Sequence, residues 1–127
     1  MKYFGVDYGT KRIGLAIGDS ETKTAVIFGT VNNIGEIADV VKKEGIDVVV
    51  IGKPYSVADK NHPVSEDFKK FVGALRAMPL LDNIKIIFED ERLSSKYADS
   101  LLGDKKTKAG RDEVAAVSIL QGYLDRL

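Results

Sequence analysis

Val48-Val49-Val50-Ile51, closed by Gly52-Lys53-Pro54, is the stretch on which the reading of the fold turns. Four consecutive β-branched apolar residues leave no polar alternation, so the strand they form offers no face to water. Such a strand belongs inside a sheet covered by helices on both sides, typically in its parallel part. The pattern upstream is different. Tyr3 to Asp7, Ile13 to Ile17 and Ala25 to Val31 are three short β-type runs, broken by Gly9-Thr10 and by Gly18-Asp19-Ser20. Runs and turns at that spacing predict an antiparallel meander. Between meander and buried strand, Asn33 and Glu36 stand at capping-box spacing, with Asn in place of the usual Ser or Thr. Ile37, Val40 and Val41 supply one apolar helix face, and Gly45 is placed to end it.

Downstream, a polar loop from Tyr55 to Pro63 leads to a helix whose Phe68, Phe71, Val72 and Leu75 recur at helical spacing, limited by Pro79. Ile84 to Phe88 reads as a fifth strand running into Glu89-Asp90-Glu91-Arg92. A short helix is expected from about Ser95 to Leu102, then a polar, Lys-rich stretch from Asp104 to Gly110, then a last helix from about Asp112 onward. The order β-β-β-α-β-α-β-α-α predicts an α/β fold, a mixed five-stranded sheet flanked by helices. At 127 residues the expectation is one domain, 1–127, without internal repeats.

Composition narrows the chemistry. Hydrophobic residues at 44% and charged residues at 30% describe a soluble globular chain rather than a disordered one. Nineteen basic and nineteen acidic residues cancel, so a polyanion would have to be held by a local patch. Cysteine is absent, which removes disulfide scaffolds, zinc ribbons and thiol nucleophiles. The apolar runs are too short for a membrane span, and Asp7 interrupts any signal-like start, so the expected location is cytoplasmic, with no membrane partner.

Several positions are candidates for chemistry. Strand alternation puts Asp7 on the face opposite Phe4 and Val6, beside Gly5, whose missing side chain leaves space where a ligand or ion could approach. The bland alternative is an Asp that initiates the turn at Gly9. Gly9 to Gly14 has the outer spacing of a P-loop, but Leu15-Ala16 replaces its Lys-Ser/Thr pair, and no G-x-G-x-x-G follows any strand. Glu89, Asp90 and Glu91 close the fifth strand, at the carboxyl end where α/β sheets collect ligands; alternation sends Glu89 and Glu91 to one face. The plain reading there is a solvated acidic strand end paired with Arg92. Asp112 shares a helix face with Ala116, Ile119 and Tyr123, so it is either an inward-pointing carboxylate or a helix cap. Lys105, Lys106, Lys108 and Arg111 precede it, and Lys11 and Arg12 occupy the first turn. Beside clustered acids such cations would contact phosphates and offset repulsion of a polyanion. His62, the only histidine, reads as a surface residue of a polar loop.

These segments resemble a known family. Phe4-Gly5-Val6-Asp7-Tyr8-Gly9-Thr10-Lys11-Arg12-Ile13-Gly14-Leu15-Ala16 is similar to the opening of the YqgF (RuvX) family, nucleases related to Holliday-junction resolvases. Asp90-Glu91-Arg92-Leu93-Ser94 resembles its D-E-R-L-[ST] motif, and Asp112-Glu113-Val114-Ala115-Ala116 with Ile119 to Leu124 resembles its closing helix. The resemblance implies a ribonuclease H-like fold and acidic residues that hold Mg²⁺ or Mn²⁺ for phosphodiester hydrolysis. The matching positions are Asp7, Glu91 and Asp112. Substrate contacts fall to Lys11, Arg12, Arg92, Lys105, Lys106, Lys108 and Arg111. The implied role is maturation of the 5′ end of 16S ribosomal RNA, which favours structured RNA as partner. Branched DNA, as for a Holliday-junction resolvase, is the alternative, and a noncatalytic nucleic-acid-binding module is a second. Monomer and homodimer both remain open. One segment departs from the family, which commonly has G-L-P-x-x-x-x-G where this chain has Gly52-Lys53-Pro54-Tyr55-Ser56-Val57-Ala58-Asp59. Asp7-x-Gly9-Thr10 is also similar to the phosphate-binding turn of actin-like and sugar-kinase ATPases, but those enclose nucleotide between two lobes, which this length does not provide.

Overall fold

A computed structural model describes residues 1–9, 12–53, 66–81, 83–90 and 111–127. The chain opens with the expected meander: β1 (Lys2–Tyr8), β2 (Ile13–Asp19) and β3 (Thr24–Val31). β1 and β2 are antiparallel with Phe4 opposite Ile17 and Asp7 opposite Gly14; β2 and β3 are antiparallel with a bulge at Leu15/Ala16. Helix α1 (Ile34–Glu44) follows. Its start is the reciprocal cap read from the sequence. The Glu36 N–H donates to Asn33 Oδ1 at 3.0 Å, while the Glu36 carboxylate accepts from the Asn32 N–H, one residue earlier than in the usual box. Its end is a Schellman turn in which Gly45 takes φ 66° and the Ile46 N–H donates to Val41 O at 3.0 Å.

β4 (Val48–Lys53) then enters beside β1 and parallel to it, with Tyr3 opposite Val48 and Val6 opposite Ile51. As the run of Val and Ile requires, its residues from Val48 to Ile51 are buried on both faces. Helix α2 (Glu66–Ala77) and a 3₁₀ turn at Pro79–Leu81 lead to β5 (Lys85–Asp90), parallel to β4. Helix α3 (Arg111–Leu124) completes the described elements. The sheet order is β3-β2-β1-β4-β5, so the parallel strands lie at its centre and one edge.

Two cores sandwich this sheet. On one face Phe4, Val6, Leu15, Val49 and Ile51 meet Ile37 and Val41 of α1 and Phe68, Phe71 and Leu75 of α2. On the other, Tyr3, Ala16, Ala25, Val48 and Val50 meet Ala116, Ile119, Leu120 and Leu124 of α3. Each fully buried Leu or Ile in these layers is worth about 1.5–3 kcal/mol of transfer from water. α3 is also pinned by Gln121, whose Oε1 accepts from the Ala25 N–H at 2.9 Å and whose Nε2 donates to Lys23 O at 2.8 Å. Among the described residues no helix is long and apolar enough to cross a membrane.

Candidate active site at the carboxyl ends of the parallel strands

β1, β4 and β5 run the same way, so their carboxyl ends share one edge of the sheet. Val6, Ile51 and Phe88 lie side by side across it, and Gly52 pairs with Glu89 at the next level. Asp7 is the residue that follows Val6. Its backbone lies inside the ladder, paired with Gly14, and β1 continues through Tyr8. Its side chain is half-buried and lies on the α3 face, opposite Phe4 and Val6.

Gly5 does not leave room for a ligand, contrary to the sequence expectation. A Cβ built there would lie 2.6 Å from Ala116 O and 2.6 Å from Leu120 Cβ. The space belongs to α3, whose backbone comes down onto β1 because Gly5 has no side chain. Gly18 instead makes room for side chains of α3, where an added Cβ would meet Leu124 Cδ1 at 2.9 Å. Tyr3 packs on Tyr123 with ring centroids 5.7 Å apart. The contacts order Tyr3 with Tyr123 and Gly5 with Ala116 and Leu120, so α3 runs antiparallel to β1. Asp7 lies roughly 7 Å beyond Gly5 at the strand rise. Asp112 lies about 6 Å before Ala116 at the helix rise. The backbones of Asp7 and Asp112 therefore reach the same end of the sheet.

Asp112 is one residue inside α3, not at the flanking cap position. Ala116 and Ile119 of its stripe are buried and Tyr123 packs against the same core, as the spacing required. The side chains of Asp112 and Arg111 lie outside the described residues, as do Lys11, Glu91, Arg92, Lys105, Lys106, Lys108, His62, the loop 55–63 and the helix expected at 95–102. Asp7 is thus the one candidate ligand whose side chain is described, and no cluster of three metal-binding side chains occurs among the described residues. Arg12 is exposed immediately before β2, at the Asp7 end of the sheet.

The acidic strand end is not simply solvated. Glu89 is 3% exposed, and its Oε2 accepts from Nη2 of Arg126, just beyond α3. That hydrogen bond raises the Arg126 pKa further above its ordinary value, against the effect of burial. Sequence reasoning offered Arg92 as the partner because it is adjacent; nothing local marks Arg126. Nor does anything local mark the ring cluster directly after Asp7, where Tyr8 meets Phe71 at 4.6 Å and Phe68 at 6.0 Å between centroids.

A five-stranded sheet ordered β3-β2-β1-β4-β5, with its first three strands antiparallel and helices on both faces, is the ribonuclease H-like class. RuvC from Thermus thermophilus shares it. The chain matches the RuvC structure solved in complex with Holliday junction substrate at TM-score 0.65 and 14% identity, covering 96% of this chain and 91% of that one. It matches a second RuvC structure at TM-score 0.66, covering 96% and 92%. At that identity the likeness is one of fold. The sequence comparisons go further. The family model described as RuvX, Holliday junction resolvase, matches residues 1–126. A protein from Endomicrobium trichonymphae named "Putative pre-16S rRNA nuclease" is 32% identical over 136 residues, covering 98% of this chain and 95% of that protein. One of the same name from Bacillus cereus strain B4264 is 35% identical over 139 residues, covering 99% of each. The chain belongs to the RuvX family. It is a nuclease, a hydrolase acting on the ester bonds of nucleic acid.

Proposed function

We propose that Asp7, Glu91 and Asp112 form the active site of a divalent-metal-dependent nuclease that matures the 5′ end of pre-16S ribosomal RNA in the cytoplasm. The observation that carries the site is the seat of α3 on Gly5, which brings the first turn of the helix to the level of Asp7. Glu91 directly follows β5, whose end lies on the same edge. The substrate reading comes from the relatives' name.

The donor set fits the metal. Asp7 is a half-buried carboxylate near the end of β1, and the chain has no cysteine to favour a softer ion. Carboxylate oxygens with water suit Mg²⁺ or Mn²⁺, and Asp7, Glu91 and Asp112 are the residues that would hold it. When bound, such ions supply an activated water and stabilise the leaving oxygen. The chain's own part is placement. β1 holds Asp7 by ladder pairing, and α3 directs its N-terminal amides, the positive end of the helix, toward the same edge and so toward a phosphate. Arg12, Lys11, Arg92, Lys105, Lys106, Lys108 and Arg111 flank the acids along the chain and neutralise the substrate backbone in this reading.

The test is cleavage of a pre-16S fragment and of a four-way DNA junction at matched salt. Asp7→Asn keeps shape but removes the ligand charge, and should abolish metal-dependent cleavage while leaving the fold as stable as before. Asp112→Asn separates a ligand from a helix-end residue. Losing the charge within the first turn costs only about 0.3–1 kcal/mol of stability, so a merely structural Asp112 leaves cleavage intact. Preference for the junction would replace ribosomal RNA by branched DNA as substrate.

A further inference from the structure

Asp7 and Tyr8 point to opposite faces of the sheet at the same strand end. On the α1/α2 side a cleft of about 380 Å³ is lined by Tyr8, Asn32, Ile34, Asp67, Lys70 and Phe71, among others. That volume falls within the roughly 300–1,000 Å³ of small-ligand clefts. Its chemistry is selective. Tyr8, Ile34 and Phe71 provide apolar and aromatic wall, Asn32 brings an amide, and Asp67 and Lys70 balance in charge. A phosphate would face as much repulsion as attraction there. A planar, uncharged, polar-edged heterocycle would not. The Tyr8 ring packs against Phe68 and Phe71, both 4% exposed.

We infer that this cleft is a nucleobase subsite, in which the base of a nucleotide flanking the scissile phosphate stacks on Tyr8. The inference rests on the reading of Asp7 as the active-site acid. Asp7 and Tyr8 are successive residues at the end of β1 on opposite faces, so a nucleic-acid strand passing over that end can present a phosphate to Asp7 on one side and a base to Tyr8 on the other. Tyr8 is then a positioning residue. It fixes which phosphate reaches the acids, and an amide at Asn32 can read the base edge.

The experiment uses a single-stranded pre-16S oligoribonucleotide with 2-aminopurine walked through its positions, bound to the Asp7→Asn protein. One position beside the cleavage point should be quenched on binding. Tyr8→Leu should abolish that quench and weaken binding roughly tenfold, the scale of losing one base–aromatic stack, while Tyr8→Phe keeps both. In the active protein Tyr8→Leu should raise KM by a similar factor with little change in kcat. An abasic nucleotide at that position should give the same rise, with no further loss when the two are combined. Asn32→Trp fills the cleft from an exposed position and should also abolish the quench, which covers the case in which Tyr8→Leu does not fold. Additive losses from Tyr8→Leu and the abasic site, or a quench indifferent to Tyr8→Leu and Asn32→Trp, overturn the subsite. Cleavage that depends on Asp7 but not on Tyr8 leaves the active-site reading standing and removes the subsite. Tyr8-dependent quenching in a protein that cleaves nothing does the reverse.

Discussion

The two faces of the sheet meet their helices by different means. Toward α1 and α2 the sheet presents Phe4, Val6, Leu15 and Ile51, and the layers are separated by interlocking large side chains. Toward α3 it presents Tyr3, Val48 and Val50 interleaved with the small residues Gly5, Ala16 and Ala25, and at Gly5 the helix backbone itself approaches the strand. Side chains set the distance between packed layers, so the first interface can adjust by rotamer changes, whereas the backbone contact at Gly5 cannot. The proposed active-site acid, Asp7, lies two residues from Gly5 on that same face. The difference assigns stability mainly to one face and geometric accuracy to the other.

The sharpest way to break that comparison is Gly5→Ala. The added methyl would collide with the backbone oxygen of Ala116, and only a shift of α3 can relieve it. Overpacking of this kind costs about 1–3 kcal/mol. Misplacing catalytic groups by 1 Å can cost on the order of a hundredfold in rate, so cleavage per folded molecule should fall far more than stability does. Leu75→Ala on α2, fully buried in the other core, should do the opposite. It should lower stability by about 2–5 kcal/mol in a urea titration and leave the rate per folded molecule nearly unchanged. Equal rate losses in the two variants would show that both faces position the site.

Much of this was legible in the sequence, and what was not has a common cause. The meander, the caps at Asn33 and Gly45, and the two-sided burial of Val48 to Ile51 are encoded within a few residues of each element. Periodicity also placed Ala116 and Ile119 on the inward stripe of α3. Gly5 announced a gap but not its occupant, because the occupant is a helix from the far end of the chain. Glu89 was read as solvated because its charge neighbours were visible and Arg126 was not. Tyr8, Phe68 and Phe71 sit on two elements whose association only the folded sheet creates. Local pattern fixes elements; it does not reveal which distant side chain fills a hole or pairs a charge.

The Glu89–Arg126 pair extends the comparison to the edge of the α3 face. Glu89 is buried while the Arg126 side chain is 52% exposed, so solvent screens one half of the pair. Breaking a fully buried pair costs 3–5 kcal/mol, and discounting for that exposure leaves about 1–2 kcal/mol for Arg126→Met. The raised Arg126 pKa means that arginine deprotonation removes the contribution only above the arginine range, well beyond neutral pH. Pairing Arg126→Met with Glu89→Met should recover most of the loss, since no unpaired buried carboxylate then remains. A single variant as stable as the parent would mean that the bond tethers the chain end without supporting the sheet.

The smallest effect is expected beside this pair, where Tyr3 packs on Tyr123. Burial raises the Tyr3 phenol above its ordinary value of 10.0, with further contributions from Tyr123, Asp47 and Asp19. Because the folded state holds this proton more tightly than the unfolded chain, the associated stability is complete below about pH 10 and is lost as pH rises through the folded value. Tyr3→Phe removes the titrating group but keeps the ring that fills the space beside α3. Its unfolding free energy should match the parent near neutrality and decline less steeply above pH 10. Parallel alkaline profiles for the two proteins would assign the slope to other groups. A loss already present at neutral pH would instead mean that the Tyr3 hydroxyl, which donates to Met1 Sδ at 3.9 Å, supports the packing beyond what so long a contact implies.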